Sequence, residues 1–130
     1  PLHIQVSHQF LNTEPNDNVK EQVKRDIVYV AFQAFAQTDI EQLTITSIPI
    51  KRSSFNPNEK SDAKPDQSLQ KTVTVDRLTA KKIIDKYLNG SSFQDLYQLD
   101  GTLYLPSAKF DRLKFAELEN VFHQLEIADK

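Results

Sequence analysis

Leu2, Ile4, Val6 and Phe10 fall on one parity of the opening stretch, with His8 at the same step and polar residues between them. That period of two predicts a half-buried β-strand. The segment from Asn12 to Asp17 breaks the alternation, and Asn16 or Asp17 is placed to cap a helix. Val19, Val23, Ile27, Val30, Ala31, Ala34 and Phe35 then recur at helical spacing up to Gln37. Val28 and Phe32 add a second apolar side, which predicts a helix that starts amphipathic and ends buried nearly all round.

The β-branched run from Leu43 to Ile50 predicts a second strand. Leu43 and Ile45 share one parity while Ile48 and Ile50 share the other, so a bulge near Ser47 is expected. Pro49 has no N–H for a ladder, which points to a sheet edge or a strand terminus. Leu69, Lys71, Val73 and Val75 mark a third strand. Asp76 caps a helix with Ala80, Ile83, Ile84, Tyr87 and Leu88 along one stripe, ended by Asn89-Gly90. Ser92 and Asp95 predict a short helical turn through Leu99. Asp100-Gly101 is a turn, Thr102–Leu105 a short strand, and Pro106-Ser107 opens a last helix with Phe110, Leu113, Leu118, Val121, Phe122 and Leu125.

The order β-α-β-(long loop)-β-α-β-α predicts an α+β domain across residues 1–130. Its sheet is expected to have three to four strands, mixed or antiparallel, with three main helices packed largely on one face. A split β-α-β, ferredoxin-like arrangement fits this order.

Composition narrows the chemistry more than it identifies any. The chain has no cysteine, which removes disulfides, thiolate nucleophiles and cysteine-bound metals together. It has two glycines, Gly90 and Gly101, each explained as turn punctuation; glycine-rich phosphate loops and the nucleophile elbow are therefore ruled out. The longest apolar run is far short of the ~18 residues that a membrane span requires. A net charge of −2 supplies no global basic field for nucleic acid. Position 1 is Pro rather than Met, so a removed signal peptide, anchor or upstream region is expected; the compartment is left open, the cytoplasm included.

Among single residues, His8 reads as a hydrogen-bonded core or rim residue on the apolar face of the first strand. Glu119, His123 and Glu126 share a helical face, an arrangement that more often marks a solvated surface than a metal site. Asp95 and Asp100 are both accounted for as turn and helix-start residues. No catalytic residue, cofactor or metal is assigned.

Residues 51–68 stand out as a long polar connection between two strands, with two prolines, four serines and no glycine. Connections longer than about 12–15 residues in a compact domain are uncommon, and are usually functional or disordered. Phe55 is expected either to anchor this loop or to meet a partner, and Ser61–Ser68 reads as disordered. A second surface is a basic strip over Lys71, Arg77, Lys81, Lys82 and Lys86, interrupted by Asp85. The function these features support is a non-enzymatic protein-interaction or assembly domain, with Arg52, Phe55, Arg77, Lys81 and Lys82 as candidate partner contacts. A small enzyme or small-ligand domain with a pocket between helices and sheet is the alternative. Weak binding of nucleic acid or an acidic partner along Lys71–Lys86 is a second one.

Overall fold

The computed structural model describes residues 2–129. Strand β1 (Leu2–Leu11) leads into helix α1 (Asn16–Gln37) and strand β2 (Gln42–Arg52). A polar connection then reaches the two-residue strand β3 (Lys64–Pro65), a 3-10 turn at Gln67–Leu69, and β4 (Lys71–Asp76). Helix α2 (Arg77–Tyr87), a second 3-10 turn at Phe93–Leu96, strands β5 (Tyr97–Asp100) and β6 (Leu103–Pro106), and helices α3 (Ala108–Lys114) and α4 (Leu118–Ala128) complete the order. The fold is α+β, with a mixed four-stranded sheet, a separate two-stranded sheet and four helices among the described residues.

β2 is the central strand. β1 runs parallel to it in continuous register from Leu2↔Leu43 to Leu11↔Arg52. β4 and β3 both lie antiparallel along its other side, end to end. The parallel neighbours β1 and β2 are joined directly by α1, so the split, ferredoxin-like arrangement does not form. The last strand pairs only with β5 and never returns to the main sheet.

The odd residues of β2 and β4 face the helices. Leu43, Ile45, Val73 and Val75 are at most 3% exposed there, packed with Phe32, Phe35, Phe110, Phe122 and Leu125. Burying these side chains is the main stabilising term of the fold, at roughly 1.5–3 kcal/mol each. On the opposite face Thr44 meets Thr74 at 2.8 Å and Thr46 meets Thr72 at 2.9 Å, hydroxyl to hydroxyl. These cross-strand pairs hold register on the side the helices leave open.

Several expectations are corrected. β2 carries no bulge at Ser47; the extra residues sit on its partner. Between the pairs Ser47↔Lys71 and Ile50↔Pro65, three steps along β2 face six along the return strand, which bows out through Gln67–Leu69. Pro49 lies inside the central strand, neither at an edge nor at an end. Its carbonyl accepts from Asp66 N at 2.9 Å, so its own side of the ladder faces the break where no N–H is required. Neither Asn16 nor Asp17 caps α1: Pro15 holds the cap position, and Asn16 Oδ1 accepts instead from Lys51 Nζ at 3.0 Å. The predicted last helix is two, broken at Phe115–Glu117, where Arg25 donates to the Lys114 carbonyl at 3.1 Å and lies over the Phe115 ring.

Other signals hold as read. Asp76 caps α2 by accepting from Thr79 N at 2.7 Å. Asn89 and Gly90 end it with φ of 54° and 77°, the left-handed region where Asn and Gly are tolerated. From Gln22 to Ala36 every residue of α1 is at least half-buried, as its second apolar side predicts.

Candidate functional site

The five residues singled out from sequence do not form one site, although Arg77 and Lys81 line a common hollow at the start of α2. Arg52 and Phe55 do meet: the guanidinium lies 5.6 Å from the ring centre, while its N–H groups hold the Ser54 carbonyl and Gln9 Oε1. Phe55 remains 53% exposed, so it does not anchor the loop. Leu69 does that, packing on the small cluster of Phe10, Val19 and Val23.

The loop around Phe55 is tied largely to itself. Asp62 accepts from Ser53 N at 2.9 Å, while Asn56 accepts from Asn58 N through its side chain at 3.0 Å and from Glu59 N through its carbonyl at 3.1 Å. Lys51 and Asp66 pair at 3.0 Å. The hydrogen bond from the Ser53 backbone holds the Asp62 carboxyl below its usual range, and the Ser68 hydroxyl followed by Lys51 does the same for Asp66. Lys51 and Arg52 belong to β2 rather than to the loop. The stretch read as disordered contains β3, paired to Ile50 and Lys51, and the capped turn after Asp66.

Arg77 is a structural clamp. It donates to the carbonyls of Ile40 (3.0 Å), Phe35 (3.0 Å) and Thr38 (2.6 Å), the backbone leaving the end of α1. Its guanidinium lies 5.2 Å from both the Phe35 and Phe93 rings. Lys81 bonds Asp85 and the Ser91 carbonyl, and Lys71 pairs with Glu126. Lys82 stands exposed in a groove between α2 and α4. The sequence-level strip is thus divided among internal bonds, and only part of it faces outward.

The histidines are likewise distributed. His3 Nε2 meets Thr46 Oγ1 at 2.9 Å, and His8 Nδ1 lies 3.4 Å from Asp26 Oδ2. Glu119 is taken by Lys24 at 2.8 Å, which removes it from His123. Among the described residues, no three His, Asp or Glu side chains converge as metal ligands.

The surface that does concentrate unusual exposure is the β5–β6 hairpin. Leu99, Leu103, Tyr104 and Leu105 are 60, 64, 71 and 38% exposed within one short arm. The register Leu99↔Tyr104 and Asp100↔Leu103 decides how this arises. Tyr97, Leu99, Tyr104 and Pro106 share one face; Gln98, Asp100, Leu103 and Leu105 share the other. The root of the first face lies on the body, where the Tyr97 ring packs edge-on against Phe110 at 5.5 Å. Burial, with Tyr29 beside it, pushes the Tyr97 phenol up to about 12. Further out the arm clears the body, and both of its faces carry apolar side chains into solvent. Ser107 fixes the arm's base, donating through its backbone to the Leu96 carbonyl at 2.8 Å and through its hydroxyl to the Asp95 carbonyl at 2.6 Å.

One hollow lies against this arm, and a second, at the 3-10 turn before it, shares Gln94 with the first. One lies among Ala36, Gln37, Tyr97 and Tyr104; the other lies beside Leu78 and Phe93, with Leu78 63% exposed. The second hollow is mixed in character, with Leu78 and Phe93 set among Glu41, Arg77, Lys81 and Ser92.

By sequence Leu99 ends a short helical turn and Leu103, Tyr104 and Leu105 form a short strand; in the structure the turn stops at Leu96, and Leu99 belongs to strand β5. The available signal was parity: apolar residues occupy both alternations on either side of Asp100-Gly101. A hairpin that joins no larger sheet cannot bury both.

No family model matches the chain, and neither the curated proteins nor the solved structures contain a match to it.

Proposed function

We propose that this chain is a protein-interaction domain that engages its partner through the β5–β6 arm and the hollows at its root. The observation that carries the reading is the exposure of Leu99, Leu103 and Tyr104, each at least 60%, on opposite faces of one hairpin. Scattered apolar residues are ordinary on protein surfaces, but a contiguous cluster marks a surface that is covered in use. Covering such a side chain fully contributes about 1.5–3 kcal/mol, enough for several together to drive association. An arm with two apolar faces fits a partner that closes around it or receives it into a cleft. Polar groups at its rim, Gln94, Gln98 and Asp100, supply orientation.

The test is a photoreactive phenylalanine analogue placed at Tyr104 and, separately, at Phe55, in the protein's native extract. A discrete adduct at Tyr104 that reconstitutes from purified components supports the proposal. No adduct at Tyr104, or the same adduct at Phe55 alone, overturns it. A second reading follows from the two tyrosine rings and two amides around Ala36: a small planar ligand in that hollow. Thermal stabilisation by several degrees with a small molecule, lost in Tyr104→Ser, favours this second reading over the first.

A further inference from the structure

The two edges of the main sheet are built differently. On the β3–β4 side the edge is short and broken: Lys64 and Pro65 form one piece, Gln67–Leu69 turns out of line, and β4 begins at Lys71 and ends at Asp76. Lysine, proline, an interruption and short length are the devices that stop an open edge from pairing with another chain. The β1 side has none of them. Leu2–Leu11 is ten residues long, unbroken, and holds no Lys, Arg, Asp, Glu or Pro. Among the described residues only one side of it is paired, to β2, and seven of its ten residues are exposed. Alternate backbone N–H and C=O groups along the free side are open to a second extended backbone, which can replace the water on them.

We propose that the occupant of this edge is the β1 strand of a second copy, paired antiparallel about a twofold axis at Val6. The strand is complementary to itself in that register. On the helix-covered face Leu2 opposes Phe10, Ile4 opposes His8 and Val6 opposes Val6, each with its mate in the other copy. On the open face His3 opposes Gln9 and Gln5 opposes Ser7. Apolar residues meet mainly apolar ones, imidazole and amide meet amide and hydroxyl, and no like carboxylates or ammonium groups are opposed. A one-residue slip would set each copy's apolar side chains beside the other's polar face. Pairing of residues 2–10 forms roughly eight to ten backbone hydrogen bonds, the number carried by a specific interface of standard size. The two sheets become one, with the α1 helices on the same face beside the axis.

Sedimentation of the chain over a concentration series tests this, with circular dichroism as the check on folding. The expected species has twice the mass of the 14.9 kDa chain. Gln5 and Ser7 lie on the open face, so the double variant Gln5→Lys/Ser7→Lys opposes like charges without touching the core and is expected to sediment as a folded monomer. Mixing it with Gln5→Glu/Ser7→Glu is expected to restore a dimer that contains one copy of each. The chain has no cysteine, so a single Val6→Cys reports the register by forming an intermolecular disulfide, whereas Gln9→Cys should not. A wild-type monomer at about 1 mM overturns the proposal. So does a dimer indifferent to the lysine pair, which would place the contact elsewhere. Monomers that take up only an extended peptide of another protein also overturn it, because the edge would then serve a different occupant.

Discussion

Two connections close antiparallel strand pairs in this molecule, and they differ in every visible respect. Ser53–Ala63, between β2 and β3, is long and polar; Gly101–Thr102, between β5 and β6, is a two-residue turn. The long connection satisfies its own polar groups, through Asp62 on Ser53 and the turn at Asn56–Asn58, and the Lys51–Asp66 pair braces the strands at its base. Apart from Phe55 it presents little that a partner would gain by covering. The short one holds up strands whose apolar side chains occupy both faces, with a body on one side only. Length and polarity draw attention in a sequence, but exposed apolar area is what association uses.

The sharpest way to probe this contrast is at the root of the arm. Leu96 is fully buried where the 3-10 turn enters β5, and Leu96→Ala is expected to lower stability by about 2–5 kcal/mol in denaturant unfolding. A loss under about 1 kcal/mol would mean the arm is loosely attached. Next in size is Arg77, whose clamp holds the turn leading to the arm against α1. Arg77→Ala removes three bonds to carbonyls and is expected to cost about 2–3 kcal/mol, against under about 0.5 kcal/mol for the exposed Lys82→Ala. Equal effects at the two sites would restore the basic strip as one unit.

At the tip, Leu103→Ser with Tyr104→Ser is expected to leave stability within about 0.5 kcal/mol while abolishing the crosslinked adduct. Phe55→Ala should leave both unchanged, and loss of the adduct there would shift the interaction to the long connection. The smallest effect separates the two connections by pH. Asp62 and Asp66 have folded pKa values below the ordinary 3.8, so their hydrogen bonds contribute fully above that value and are lost as pH falls through the folded ones. Amide protection at Ser53 and Ser68 is therefore expected to weaken below about pH 3.8, relative to the amides of β5 and β6. Uniform behaviour would show that these carboxylates do not hold the loop.

Much of the fold could be read directly from the chain. The alternation of β1, the two-sided α1 and the Asp76 and Asn89-Gly90 signals are local, and their structural outcomes follow from side-chain period and cap chemistry. The misreadings share a cause. The parity change at Ser47 was assigned to β2 itself, although an irregularity in a ladder can lie on either strand. Pro49 reads as an edge or terminal residue because its missing donor is visible, while the break opposite it is formed by residues some seventeen positions later.

The candidate surface was less legible still. Arg77 reads as a free cation beside Lys81 and Lys82, and nothing local shows that the carbonyls of Phe35, Thr38 and Ile40 surround it. Leu103 and Leu105 read as part of a short strand, and nothing local shows that this strand pairs with β5 alone and leaves them in water.

The sequence by itself determined the class of fold, the identity of most elements and the lack of any cysteine chemistry, because period, caps and composition act over a few residues. Tertiary structure alone decided which strands became neighbours, which edge was left bare and which apolar residues stayed in water. Those outcomes depend on what lies on the other side of each element, and a chain carries no local record of its distant partners.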